Sequence, residues 1–170
     1  MTVALTGYMG SGKSSVGKSL ATLLSCVFID LDSYIVQREG RSIPEIFGTD
    51  GEKEFRRIEY EALMEVLDTG RDMVLALGGG AVMTPACAEA VKSRTTCFYL
   101  KGTVDTLMEH LRYSKGRPLL ADGPDREKIT RMLEQRSPVY ESVCDYVIKI
   151  DGLSVQQVAR DINMILNRQG

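Results

Sequence analysis

Val3-Ala-Leu-Thr-Gly7-Tyr-Met-Gly-Ser-Gly-Lys13-Ser14 is an apolar run that breaks into glycines and ends on a lysine and a serine. From Gly7 it fits G-x-x-x-x-G-K-[ST], and helical periodicity follows at once, with Val16, Leu20, Leu23 and Leu24 on one face. Strand, loop and helix in that order let backbone N–H groups wrap a phosphate before the chain enters a helix N-terminus. Gly10 and Gly12 permit the close approach this needs. Lys13 is placed to neutralise β- and γ-phosphates, and the Ser14 hydroxyl to ligate Mg²⁺. The stretch predicts a nucleoside-triphosphate site, with ATP as the nucleotide.

Outward from this loop, four more short apolar runs alternate with helical patterns. The runs are Cys26–Ile29, Met73–Leu77, Cys97–Leu100 and Tyr146–Ile150. Apolar on both faces, they suit strands of a buried parallel sheet. Asp50 is a candidate cap for a helix whose stripe is Phe55, Ile58, Ala62, Val66 and Leu67. Pro85 opens a helix, Thr103 caps Val104–Arg112, Asp125 caps Arg126–Arg136 and Ser154 starts the last helix. Five βα units predict a three-layer α/β/α sandwich on a five-stranded parallel sheet with right-handed crossovers, of the P-loop NTPase type. Two stretches interrupt the alternation, 31–60 and 112–124. The second carries two prolines and three basic residues and reads as a lid.

A length of 170 residues predicts a single domain, 1–170. A net charge of −2 lacks the basic stripe that nucleic-acid binding leaves in a sequence. The balance is uneven: 30–72 holds six basic and twelve acidic residues, net −6, whereas 112–136 holds seven and four, net +3. No apolar run approaches the roughly 20 residues that span a bilayer. Met1-Thr-Val-Ala-Leu-Thr lacks a charged leader region. Cys26, Cys87, Cys97 and Cys144 show no C-x-x-C spacing, and the single His110 offers no second nitrogen ligand, so zinc is not expected. Scattered thiols suit a reducing cytoplasm. The chain is expected to be a cytoplasmic monomer, with no nucleic-acid or membrane partner.

Other residues carry chemistry beside the phosphate loop. Asp30 and Asp32 end the second run, where ligands of open α/β sheets sit, and an extended chain would send them to opposite sides. One suits a hydrated metal, the other a substrate hydroxyl. Gly78-Gly79-Gly80 follows the third run and leaves room for a ligand against bare backbone. Arg56 and Glu59 lie three apart and pair on one helix face. Arg136 is read as a helix end before Ser137-Pro138, where the dipole alone favours a cation. Together, Arg56 and Arg136 suggest a clamp for a carboxylate, and Arg117 a cover for the triphosphate. His110 is given a solvated helix face and no role, and the methionines are read as core.

With these residues in hand, the chain resembles the shikimate kinase family over nearly its whole length. The likeness rests on Gly7–Ser15, Phe28–Asp32, Ile43–Phe47, Gly51–Glu59, Gly78–Val82, Arg117–Leu120 and Arg136–Tyr140. The resemblance implies ATP-dependent phosphorylation of the shikimate 3-hydroxyl, a step towards chorismate and the aromatic amino acids. It implies a shikimate-binding segment at 31–60 and a lid at 112–124. By position, Gly10, Ser11, Gly12, Lys13, Ser14, Ser15 and Arg117 are the ATP contacts. Asp32, Arg56, Gly78, Gly79, Gly80 and Arg136 contact shikimate, with Asp32, Lys13 and Arg117 catalytic. Ser14 ligates Mg²⁺ directly and Asp30 through water. Arg112 lies one or two positions from a lid-hinge arginine of the family. A kinase for another hydroxylated acid, such as gluconate, and a nucleotide-dependent switch are the rival readings; no N-K-x-D guanine reader is present for the latter.

Overall fold

The computed structural model describes residues 1–112 and 125–170. Strands β1 (Thr2–Thr6), β2 (Val27–Asp30), β3 (Met73–Ala76), β4 (Thr96–Lys101) and β5 (Tyr146–Lys149) form one parallel sheet in the order β2-β3-β1-β4-β5. All five expected runs pair, and no bound shifts by more than one residue.

Side chains alternate across this sheet with period two and build two cores. Val3, Leu5, Val74, Phe98 and Leu100 face one core, shared with helices α1 (Lys13–Leu24) and α7 (Val155–Asn167). Ala4, Met73, Leu75, Cys97 and Tyr99 face the other. That side is covered by α2 (Leu31–Glu39), α3 (Ile43–Asp68), α4 (Pro85–Arg94), α5 (Val104–Arg112) and α6 (Arg126–Val143). The result is the expected three-layer sandwich. β1 is buried on both faces, but the edge strands are not: Val27 and Val147 are each 43% exposed, because an edge strand has a neighbour on one side only.

Local signals fix most helix starts. Ser154 and Gln157 form a reciprocal capping box at α7. Asp125 accepts from the amides of Glu127 and Lys128, Pro85 sits in the first turn of α4, and Thr103 Oγ1 accepts from Thr106 N at 3.3 Å. No helix among the described residues is long and apolar enough to cross a membrane.

Four local expectations are corrected. Asp50 accepts from none of the amides after it: α3 opens at Ile43, with Ser42 Oγ accepting from Glu45 N at 3.2 Å, and its backbone leaves helical angles at Gly51 (φ 84°, ψ 171°), beyond which a second helical stretch carries the expected Phe55 stripe. The Asp50 carboxylate accepts from Arg41 Nη2 at 2.8 Å instead. Arg136 does not end a helix. α6 continues through Pro138 to Val143, losing one internal bond at the proline but gaining the burial of Tyr140 and Val143. β2 stops at Asp30, so Asp32 lies in the first turn of α2 and the two carboxylates do not flank an extended strand. Leu23 and Met164 lie at the margins of their helical stripes and are exposed, as is Met1.

Helix α1 packs very close to the sheet. A Cβ on Gly17 would stand 2.5 Å from Phe28 Cε2 and 3.5 Å from Leu5 Cδ1. Gly17→Ala should therefore cost about 1–2 kcal/mol, overpacking outweighing the better helix propensity, and lower Tm by about 3–6 °C. A thermal melt with an unchanged or higher Tm would contradict this packing.

Candidate active site

β1 delivers the chain into Gly7–Ser14, where Gly10 (φ 83°) and Gly12 (φ 88°) take left-handed conformations that a side chain would oppose. No side chain caps α1, which leaves first-turn N–H groups and the positive end of the helix dipole to an anion. Lys13 arches back over the loop, its Nζ donating to the carbonyl oxygens of Gly7 at 2.6 Å and Tyr8 at 3.2 Å. Ser14 Oγ donates to Asp30 Oδ2 at 2.6 Å, while Asp30 Oδ1 accepts from Ser33 N and caps α2. A hydroxyl and a carboxylate are the hard oxygen donors that a small divalent cation takes. Among the described residues no cluster of three or more His, Cys, Asp or Glu could hold a metal ion, so phosphate and water oxygens would have to complete the shell.

The neighbouring strand β3 runs into Gly78-Gly79-Gly80 and a short 3₁₀ turn, Ala81–Met83. A Cβ on Gly78 would stand 2.7 Å from Asp32 Oδ1, one on Gly79 3.5 Å from Arg136 Nη1, and one on Gly80 2.6 Å from Arg56 Nη2. Three side chains from three helices thus come together on backbone that carries none.

Each guanidinium is held from behind. Arg56 Nη1 donates to Glu59 Oε1 at 2.8 Å, and its carbon lies 5.3 Å from the centre of the Phe55 ring. Glu59 is 1% exposed; burial pushes its carboxyl above the usual range, against the opposing pull of Arg56. Arg136 lies 6.0 Å from the centre of the Tyr8 ring, and Tyr8 itself reaches Met132 Sδ from its hydroxyl at 3.4 Å. Arg57, by contrast, turns outward to Glu54 and Glu61 on the surface of α3.

An open cleft of about 650 Å³ connects these parts. Its walls include the expected Gly10, Ser11, Gly12, Lys13, Ser14, Ser15, Asp30, Asp32, Gly78 and Gly79. Glu109 and His110 of α5 and Ile150, Leu153 and Val155 close the far side. Gly80, Arg56 and Arg136 meet at the glycine turn rather than in the cleft wall. Arg112 is the exposed last residue of α5. Arg117 and the rest of the expected lid beyond Arg112 lie outside the described residues.

Four residues have places in the site that their local sequence patterns do not show or show only in part. Glu59 pairs with Arg56 as expected, but it also sits four residues after Phe55 and three before Ala62, on the buried stripe, and that spacing is the signal of its burial. His110 is exposed as expected, but its Nδ1 lies 2.7 Å from the carbonyl oxygen of Gly10. A carbonyl only accepts, so Nδ1 carries the proton. Tyr140 donates from its hydroxyl to Gly79 O at 2.5 Å, a contact across 61 residues with no local signal. Asp151 Oδ1 accepts from Thr103 N and from the hydroxyls of Thr103 and Thr106, tying the Ile150–Leu153 wall to the start of α5.

A parallel sheet whose central strand enters a glycine loop and then a helix N-terminus defines the P-loop nucleotide-binding class. The family model for shikimate kinase matches residues 9–167. A shikimate kinase of Thermus thermophilus is 43% identical over 162 residues, covering 94% of this chain and 86% of the relative. The structure of shikimate kinase from Acinetobacter baumannii in complex with shikimate superposes with a TM-score of 0.90 at 33% identity, covering 99% and 93% of the two chains. A gluconokinase from Sinorhizobium meliloti shares the fold alone, at TM-score 0.63 and 18% identity over 99% and 92% of the chains. The chain belongs to the shikimate kinase family.

Glu59 holds its proton more tightly in the folded chain than in the unfolded one, where the ordinary value is 4.5. Its contribution to stability is therefore present at low pH and is lost as pH rises through the folded pKa. Urea unfolding of the native chain and of Glu59→Gln should show the native-minus-variant difference growing as pH is lowered from 7 to 4. A difference that shrinks would contradict the burial argument.

Proposed function

We propose that this chain transfers the γ-phosphoryl group of ATP to the 3-hydroxyl of shikimate, giving shikimate 3-phosphate and ADP on the route to chorismate and the aromatic amino acids. The observation that carries the reading is the meeting of Asp32, Arg56 and Arg136 on the glycine turn beside a phosphate loop. The shikimate held by the Acinetobacter relative supports the choice of acceptor.

In this reading Gly10–Ser15 bind the triphosphate, and Lys13 offsets the charge that spreads over the transferring phosphoryl. Arg117 is assigned the same task by resemblance. Arg56 and Arg136 take the substrate carboxylate, which two guanidinium forks match better than lysines would. Gly78, Gly79 and Gly80 let the substrate lie against bare backbone. Asp32 orients the 3-hydroxyl and takes its proton as the oxygen bonds to the γ-phosphorus and the bond to the ADP oxygen breaks. Mg²⁺ fits the oxygen pair described above, Ser14 holding it directly and Asp30 through water, and it would supply neutralising charge at the β- and γ-phosphates. Residues 31–60 serve as the substrate-binding segment and 112–124 as the lid of one domain, acting as a monomer. Free thiols at all four cysteines accord with a reducing cytoplasm.

A coupled ADP-release assay with shikimate, gluconate or no acceptor tests the reading. Turnover with shikimate is expected. Turnover with gluconate only, or equal ADP release without any acceptor, would overturn it. Asp32→Asn should lower kcat about 10²–10⁴-fold while the KM for ATP stays within about twofold; native turnover in that variant would remove the proton-accepting role. Arg136→Ala should raise the KM for shikimate about 10–100-fold. An unchanged KM would sink the clamp.

A further inference from the structure

Arg136 and Tyr140 lie one helical turn apart on the same face of α6. The Tyr140 side chain is fully buried, and its hydroxyl donates to the Gly79 carbonyl oxygen at 2.5 Å. That carbonyl only accepts, so the single phenolic proton is committed to it, and the oxygen's lone pairs are left to the Arg136 guanidinium, whose Nη1 stands 3.5 Å from the Cβ position of Gly79 and whose charge acts on the phenol. Burial pushes the phenol up to about 12, so the proton remains in place at neutral pH.

The carbonyl of Gly79 and the N–H of Gly80 are opposite edges of one rigid peptide plane. Flanked by two glycines, that plane has little steric resistance to rotation. Fixing the oxygen on one edge fixes the direction of the N–H on the other. We propose that Tyr140 is a positioning residue for the acceptor site, its phenol locking the Gly79–Gly80 peptide and the Arg136 guanidinium into one mutual orientation. The inference rests on the acceptor role given above to Gly79, Gly80 and Arg136. Tyr140 is not in the cleft wall and acts through these groups.

Tyr99 supplies the control. Its ring lies 5.0 Å from that of Tyr140 and is equally buried, but its phenol meets Ser137 Oγ at 2.9 Å. Tyr140→Phe keeps the ring and deletes the oxygen. It should raise the KM for shikimate about 5–20-fold and leave the KM for ATP within about twofold, whereas Tyr99→Phe should leave both within about twofold. A merely structural role for Tyr140 would lower Tm without splitting the two KM values. A second measurement needs no turnover: in protein labelled with ¹⁵N-glycine, the Gly80 amide should be sharp in the native chain and exchange-broadened in Tyr140→Phe. A shikimate KM within twofold of native in Tyr140→Phe, or an equal rise in Tyr99→Phe, overturns the proposal. If the native chain itself fails to use shikimate, the functional reading falls, and an unbroadened Gly80 amide in Tyr140→Phe then separately overturns the positioning role.

Discussion

Gly78, Gly79 and Gly80 present no Cβ atoms, and the ends of Asp32, Arg136 and Arg56 occupy or border the space that those atoms would take. Contact between charged side chains and bare backbone is the constraint on which the rest of the site depends. It brings one carboxylate and two guanidinium groups from α2, α6 and α3 onto a single turn. β3 lies next to β1 in the sheet, with Leu77 N donating to Leu5 O at 3.0 Å. The order of strands therefore sets the turn beside the phosphate loop without any further device.

Positive groups in such a place need support from behind. Arg56 has one buried carboxylate, Glu59, on its inner side and an aromatic ring beneath it. Arg136 has the Tyr8 ring and the Tyr140 phenol. Tyr8 belongs to the Gly7–Ser14 loop, so that loop and the group around the glycine turn share a side chain. The exposed pairs of Arg57 with Glu54 and Glu61, and of Arg38 with Glu61 and Glu65, are of a different kind: solvent-screened links that add little individually. The acidic balance of 30–72 comes from that surface, and it hides a cation that faces inward.

Much of this was legible because it is written locally. The five apolar runs, the loop from Gly7 to Ser14, the strand-end Asp30 and the three glycines each carry their own signal, and the caps at Asp125 and Ser154 are single-residue statements. What was not legible depends on where an element stops. Asp32 does not stand opposite Asp30 along an extended chain because the helix starts directly at the end of β2 and takes Asp32 into its first turn. Arg136 moved from a helix end to a helix interior because the burial of Tyr140 and Val143 outweighs the bond lost at Pro138. The contacts of Tyr140 with Gly79 and of His110 with Gly10 span 61 and 100 residues, and no periodicity encodes them.

The glycine turn itself can be tested by filling it. A methyl group on Gly80 would have the far end of the Arg56 side chain as its nearest neighbour, Nη2 at 2.6 Å, and Gly80 has no left-handed backbone, so the fold should tolerate it while the guanidinium is displaced. Titration calorimetry of Gly80→Ala with shikimate and with a non-hydrolysable ATP analogue measures the two halves of the site separately. The expected result is shikimate affinity lowered about tenfold or more, with analogue affinity within about twofold of native. Native shikimate affinity in that variant would contradict the account.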